Sequence, residues 1–223
     1  MEKMSYSVAS PAQSALATNK VIKNTFALLL MTLLFSALTA GLSMAFNWPH
    51  PGIILTLVGF YGLLFLTAKT ANSGWGLLSV FALTGFMGLT IGPIISSYLT
   101  MFSNGSELVM LAMGGTGVIF LGLSGYALST RKDFSFMGGF LMVGVLVAFL
   151  AGIGAMIFAI PALSLAVSAM FVLLMSGMIL YQVSAMVHGG ETNYIMATVS
   201  LYVSIYNLFL SLLQLLGAFA GED

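Results

Sequence analysis

The chain has 223 residues, a net charge of zero, 60% hydrophobic residues, 5% charged residues and no cysteine. A soluble domain carries roughly 25% charged residues, so this composition excludes an ordinary soluble protein and indicates a protein of the lipid bilayer. The balanced charge gives no support for nucleic-acid binding. Without cysteine the chain can form neither disulfides nor thiolate metal sites.

Seven apolar runs follow one another along the chain, each close to the 17–25 residues with which a helix crosses a hydrocarbon core. A helix satisfies its own backbone hydrogen bonds in lipid, so these runs predict helices rather than strands. The predicted fold class is therefore all-α, a seven-helix transmembrane bundle over residues 25–219. The runs are Thr25–Phe46, Gly52–Ala68, Trp75–Leu99, Leu108–Ser129, Met137–Ile160, Ala162–Val187 and Tyr194–Phe219.

All the basic residues fall on one side of the membrane in this arrangement. They are Lys3, Lys20 and Lys23 before the first run, Lys69 after the second, and Arg131 and Lys132 after the fourth. The positive-inside rule then predicts a cytoplasmic N-terminal tail at residues 1–24 and an external C-terminus at residues 220–223. The first run is too long for a signal peptide and is expected to be a retained anchor.

Small residues recur inside several runs and predict close helix packing. Gly88 and Gly92 in the third run, and Ala148 and Gly152 in the fifth, have the small-xxx-small spacing that lets helix backbones approach in lipid. The fourth run has five glycines, for which we expect the same role: Gly114, Gly115, Gly117, Gly122 and Gly125. Pro93 lies inside the third run, where it predicts a kink and a candidate hinge.

The seventh run has the clearest periodicity. Polar and small residues recur at alternating intervals of three and four, which places them on one helical face. Since Asn and Gln are costly against lipid, this face is predicted to point into the bundle. It serves either interhelical hydrogen bonding or the wall of a wet cavity. The residues are Asn193, Ala197, Ser200, Ser204, Asn207, Ser211 and Gln214.

Catalytic and transport chemistry has little support. No acidic or basic residue lies deep within a run, which argues against proton-coupled transport. Gly122-Leu123-Ser124-Gly125 matches the G-x-S-G motif of rhomboid intramembrane proteases, which also requires a histidine base. Of the two histidines, His50 is in the first external loop and His188 follows the sixth run, so only a Ser124–His188 pair is conceivable. No cofactor or metal site is predicted.

The turn between the sixth and seventh runs has the sequence His188-Gly189-Gly190-Glu191-Thr192-Asn193-Tyr194. Its paired glycines predict a tight turn with one glycine at positive φ. This turn, with the segments that follow it, resembles the C-terminal signature of the Bax inhibitor family, and the resemblance to its bacterial branch extends from Lys20 to Phe219. The other segments that carry it are Thr198–Tyr202, Asn207–Phe209, Lys20–Thr25, Pro51–Gly59, Lys69–Asn72 and Thr130–Asp133.

The resemblance implies a bundle with a central seventh helix, located in the bacterial inner membrane. It also implies a regulatory protein without catalytic residues that binds the membrane-anchored, ATP-dependent protease FtsH, and possibly proteins associated with FtsH, and restrains degradation of membrane proteins. The tail at residues 1–24 is then a reasonable contact for the protease. The signature residues are His188, Gly189, Gly190, Tyr194, Tyr202 and Asn207.

Two alternatives come from other classes of protein. Some members of the family are calcium leaks that use a pair of acidic residues in the sixth and seventh spans. The corresponding positions here are Gln182 and Ser204, which cannot ionise, so pH-gated conduction is not expected. These two side chains are instead expected to hydrogen-bond each other. The other alternative is the rhomboid-like protease, with Ser124 as its nucleophile.

Overall fold

The structure, a computed structural model, describes residues 11–220, which contain seven α-helices and no strand. Each helix is long and apolar enough to cross a membrane, so the seven-helix prediction is confirmed. A short 3₁₀ turn at Ser135–Met137 precedes the fifth helix. The helices are α1 Pro11–Ala45, α2 Ile53–Thr70, α3 Trp75–Met101, α4 Gly105–Thr130, α5 Gly138–Ile157, α6 Pro161–Val187 and α7 Tyr194–Ala220.

The first helix begins earlier than predicted. It starts at Pro11, so residues 11–24 of the predicted tail belong to α1, while residues 1–10 and 221–223 lie outside the described residues. Proline suits the first turn of a helix, and the alanines, Gln13, Leu16 and Lys20 that follow are good helix formers. At 1.5 Å per residue the 35 residues of α1 measure about 52 Å, against a hydrocarbon core of about 30 Å. The first turns of α1 therefore project beyond its apolar stretch, which begins at Thr18.

The seventh helix forms the centre of the bundle. It packs against α1, α3, α4 and α6, and it has more buried residues than any other helix. Tyr202, Leu208 and Leu213 on α7 are almost completely buried. The two remaining helices form an outer layer, with α2 packed on α3 and α5 packed on α6. The expectation of six helices around α7 is therefore correct for four of them.

Basic residues lie together at one end of the bundle. The α2–α3, α4–α5 and α6–α7 connections lie there, together with Lys69, Arg131 and Lys132. The first turns of α1 lie at this end too, because the Thr198 hydroxyl near the start of α7 is 3.3 Å from the Thr25 carbonyl of α1. We call it the basic end. Its cytoplasmic location stays a prediction.

Backbone approach between α1 and α3 is as close as the glycine spacing predicts. A β-carbon added to Gly88 would collide with the Thr39 hydroxyl and the Ser36 carbonyl, and one added to Gly92 would come within 2.7 Å of the Ala40 carbonyl. The second predicted pair is less tight, since a β-carbon on Gly152 would lie 3.5 Å from Val167 of α6, an ordinary contact.

The same prediction is wrong for α4. A β-carbon added to four of the five predicted glycines would meet no atom within 4 Å, and one added to Gly115 would lie 3.5 Å from Leu212 of α7. Of the glycines of α4 only Gly105, its first residue, lies against backbone, that of Tyr98 and Leu99. The buried side of α4 is formed by larger residues, among them Leu108, Thr116 and Ala127. The five predicted glycines lie on its other sides, so they do not produce close packing within the bundle.

The helix α3 continues through Pro93 without interruption. Proline has no N–H, so the carbonyl four residues earlier, that of Leu89, loses its usual helical donor. The hydroxyl of Ser43 on α1 donates to this carbonyl at 3.0 Å. A neighbouring helix thus satisfies the group that the proline leaves open, as backbone in lipid requires. The hinge at Pro93 stays a prediction.

Candidate functional site

The α6–α7 turn has the conformation that its glycines predict. Gly189 has φ 75°, a left-handed conformation that glycine adopts without strain. The amide of Gly190 donates to the Ala185 carbonyl at 2.8 Å and that of Gly189 to the Met186 carbonyl at 3.3 Å. These two bonds form a Schellman motif, which satisfies the last carbonyls of α6. His188 is therefore held at a fixed position directly after the helix.

His188 and Ser184 fasten the α4–α5 connection to α6. The two ring nitrogens of His188 face backbone carbonyls, with Nε2 3.0 Å from Arg131 O and Nδ1 2.9 Å from Ser184 O. The Ser184 hydroxyl donates to the Lys132 carbonyl at 3.1 Å and accepts from the Phe134 amide at 3.0 Å. Ser184 was not predicted as a site residue. Its partners lie some fifty residues away in the sequence, where periodicity gives no signal.

Asn193 connects the start of α7 to the α2–α3 connection. Its Oδ1 accepts from the amides of Ile195 and Met196 at 2.9 and 3.2 Å, which caps the helix. Its Nδ2 donates to Asn72 Oδ1 at 2.8 Å and to the Ala71 carbonyl at 3.2 Å. The α6–α7 turn thus binds both other connections at the basic end, the α4–α5 connection through His188 and the α2–α3 connection through Asn193. Tyr194 follows the turn as the first residue of α7.

The exposed carboxylate of Asp133 caps the short turn that leads into α5. The Ser135 amide donates to its Oδ1 at 2.8 Å. This bond lowers the pKa of the Asp133 carboxyl below its usual value, because it favours the charged form. The carboxylate thereby stabilises the same connection that Ser184 and His188 hold.

The predicted polar pair meets inside the bundle. Gln182 Nε2 lies 3.1 Å from the Ser204 hydroxyl, joining α6 to α7. Further along the same face of α7, Gln214 accepts from Ser168 at 2.8 Å and donates to Ser164 at 2.6 Å, both on α6. The polar stripe of α7 therefore faces the bundle, and two of its residues, Ser204 and Gln214, bond α6. Whether the pair has a function beyond packing stays a prediction.

The opposite side of α7 holds a second polar contact that the stripe did not predict. The Tyr202 hydroxyl lies 2.6 Å from the Ser36 hydroxyl of α1 and 3.3 Å from the Thr84 carbonyl of α3. Tyr202 is 1% exposed and joins three helices at the centre of the bundle. Its position in the family signature thus has a structural explanation.

A cavity of about 780 Å³ lies between the two outer helices. Its walls are α2, from Thr56 to Ala68, and α5, from Met142 to Phe149, and its floor is formed mainly by α6 and α7. Because α2 and α5 form no packed interface with each other, the cavity opens sideways between them. We call it the lateral cleft. Gln182 lies on its floor together with Ser200, Ser204 and Asn207 of the polar stripe. The stripe thus lines a cavity, one of the two roles that the sequence left open for it, and its contents stay a prediction.

The Ser124–His188 pair of the protease alternative is not formed. Ser124 is 3% exposed, and its hydroxyl has no hydrogen-bond partner within residues 11–220. His188 is engaged with backbone carbonyls, and His50 lies at the other end of the bundle, where its Nδ1 accepts from the Gly52 amide at 3.0 Å. Within residues 11–220, Ser124 therefore has no base beside it.

Comparison with known proteins finds one family and several relatives that match most or all of the chain. The sequence profile of the family described as "Inhibitor of apoptosis-promoting Bax1" matches residues 18–221. A protein of Escherichia coli (strain K12) named modulator of FtsH protease YccA is 52% identical over 210 residues, 94% of each chain. The relative in E. coli O6:H1, with the same identity and coverage, bears the name inner membrane protein YccA. A Pseudomonas aeruginosa protein is 51% identical over 223 residues, 100% of each chain.

Proposed function

We propose that this chain, which belongs to the Bax inhibitor family, is an inner-membrane protein that binds the protease FtsH and restrains its degradation of membrane proteins. The observation that carries the proposal is the 52% identity, over 94% of each chain, to a protein named modulator of FtsH protease. The names of these relatives are those of a modulator and of an inhibitor family, not of enzymes.

The shape of the basic end supports a contact with a protease that works from the cytoplasm. Under the positive-inside rule this end faces the cytoplasm. The first turns of α1, from Pro11 to about Lys20, project from it as a helix and present exposed Asn19 and Lys20. A segment that is already helical loses less conformational entropy on binding than an unstructured tail does, which favours association.

A regulatory role also agrees with the interior. The Ser124 hydroxyl has no base beside it in the described part of the chain, and Gln182 and Ser204 form a neutral hydrogen bond where an ionisable pair would be needed. We therefore propose that the chain acts by binding rather than by proteolysis or by pH-gated calcium conduction. Ser124→Ala should leave its effect on the protease unchanged, and reconstituted vesicles should show no calcium flux between pH 5 and pH 8.

Reconstitution with purified FtsH tests the proposal directly. The full chain and the protease are placed together in liposomes with a membrane-protein substrate, and the rate of substrate loss is measured with and without the chain. We expect slower degradation, and recovery of the protease when a tagged chain is captured from mild detergent. A chain lacking residues 1–17 should bind more weakly. If the intact chain neither captures FtsH nor slows degradation, the proposal is wrong.

A further inference from the structure

The lateral cleft reaches deep into the membrane. Its wall on α2 runs from Thr56 to Ala68, a distance of about 18 Å at 1.5 Å per residue, or three helical turns. On its floor, Ser200 and Asn207 lie about 9 Å and about 20 Å from the first residue of α7, within the depth of the hydrocarbon core. Whatever fills the cleft therefore lies in the bilayer and enters sideways between α2 and α5.

The floor of the cleft offers hydrogen-bonding groups that the chain does not satisfy. Asn207 Nδ2 donates to the Val203 carbonyl of its own helix at 2.8 Å, whereas its Oδ1 has no donor among residues 11–220. The Ser200 hydroxyl likewise makes no hydrogen bond within this part of the chain, although the Ser200 carbonyl accepts from Ser204 at 3.0 Å. Polar groups in hydrocarbon require a partner. A lipid tail has no donor at this depth, so the floor is complementary to an occupant with polar side chains.

The lining of the cleft is adaptable. Five of the chain's 16 methionines line it, far more than a random share, and these are Met87, Met142, Met175, Met178 and Met196. Methionine is flexible and polarisable, and protein surfaces that accept helices of varied shape use it often. The composition of the lining therefore suits a protein helix better than a single rigid ligand.

We propose that the lateral cleft receives a membrane-spanning helix of the protease, with a hydroxyl or amide side chain of that helix bonded to Ser200 and Asn207. This inference rests on the proposed function, since it adds to the cytoplasmic contact of α1 a second surface, within the membrane, by which the chain binds the protease. The occupant is a helix because only a helix can bring polar side chains into lipid with its backbone satisfied. Interhelical hydrogen bonds of this kind then fix its register in the cleft.

Single-cysteine photocrosslinking locates the contact. The chain has no native cysteine, so each variant carries one thiol, to which a benzophenone maleimide is attached. Tyr61→Cys and Leu146→Cys place the probe on the two rims of the cleft, where these side chains are 54% and 57% exposed. Val118→Cys and Leu121→Cys place it on the exposed face of α4 as matched controls. After illumination in membranes that contain FtsH, adducts are purified and mapped by mass spectrometry.

We expect adducts with a transmembrane segment of the protease at the two rim positions and their absence at the two α4 positions. The cleft is not the binding surface if the protease is captured but its adducts form at α4. The same conclusion follows if the rim probes react only with lipid or with a second copy of this chain. In both cases the proposed function stands. If the tagged chain does not capture the protease at all, the proposed function fails and this inference fails with it.

Two substitutions on the floor test the chemistry. Ser200→Phe fills the cleft and should abolish capture of the protease, whereas Leu121→Phe on α4 should not change it. Asn207→Leu removes the unsatisfied oxygen and should weaken capture about three- to tenfold, the effect of one interhelical hydrogen bond. Size-exclusion profiles and thermal unfolding in detergent check that each variant is folded. Unchanged capture by a folded Ser200→Phe variant would contradict the proposal.

Discussion

Helices α3 and α4 are both rich in glycine, yet they use it in opposite ways. On α3, Gly88 and Gly92 contact the backbone of α1 so closely that no β-carbon fits. On α4, a β-carbon on Gly114 or Gly122 would meet no atom within 4 Å. Small-residue spacing therefore permits close approach but does not itself produce it. Whether two backbones come close also depends on the residues of the partner helix.

The partner of α3 has a matching stripe. Ser36, Thr39, Ala40 and Ser43 follow one another on α1 at helical spacing, and they are the residues that the glycines of α3 contact. No glycine of α4 meets such a stripe. This helix is held instead by its larger buried residues and, after its last turn, by the hydrogen bonds of Ser184 and His188.

The largest difference is expected between Gly88→Ala and Gly122→Ala. The new methyl group at position 88 collides with the Ser36 backbone, which cannot move like a side chain, so we expect a loss of about 3 kcal/mol in the free energy of unfolding. At position 122 the methyl group meets open space, and the better helix propensity of alanine predicts a gain of up to about 1 kcal/mol. Reversible unfolding in detergent measures both. Equal changes in the free energy of unfolding would show that glycine is no more necessary for packing on α3 than on α4.

Ser184→Ala should have the next largest effect, because it leaves the Lys132 carbonyl and the Phe134 amide without their partner. We expect a loss of about 1–2 kcal/mol and faster hydrogen exchange at the Phe134 amide. Ser176→Ala on the same helix is the control, since that hydroxyl donates only to the Val172 carbonyl one turn earlier. Unchanged exchange at Phe134 would mean that Ser184 does not hold the end of α4.

A double-mutant cycle tests the contact between Ser43 and α3. Ser43→Ala leaves the Leu89 carbonyl without a donor and should cost about 1 kcal/mol. In the Pro93→Ala background the amide at position 93 can bond the same carbonyl, so Ser43→Ala should then cost much less. The free energies of unfolding of the four proteins measure this coupling. Strictly additive effects would show that Ser43 does not replace the donor that proline lacks.

The smallest effect is expected from Asp133, which is fully exposed. Its pKa is lowered in the folded chain, so its carboxylate stabilises the fold above the unfolded value of about 3.9, and this contribution is lost as the pH falls through the folded pKa. Asp133→Asn should therefore lower the Tm slightly at pH 6, and the difference should shrink as the pH falls below about 3.9 and vanish once the carboxyl is protonated in the folded chain as well. A difference that does not depend on pH would exclude the charged cap.

Hydropathy predicts the seven helices well, because the length and polarity of each run are local properties of the sequence. The start of α1 was missed, since a helix outside lipid depends on propensity rather than on apolar length. Gly189 was predicted within its pair because its turn is local as well. The contact of Tyr202 with Ser36 joins residues 166 positions apart. Periodicity places each of them on a face but does not tell which faces meet.

The central position of α7 has a consequence for biosynthesis. This helix is the last of the seven to be translated. It nevertheless supplies Tyr202 and Ser204, the hydrogen-bond partners of the Ser36 hydroxyl and the Gln182 amide on earlier helices. The first six helices therefore enter the membrane as an unfinished assembly with unpaired polar groups. A nascent chain that stalls before α7 would therefore leave the Ser36 hydroxyl and the Gln182 amide without these partners.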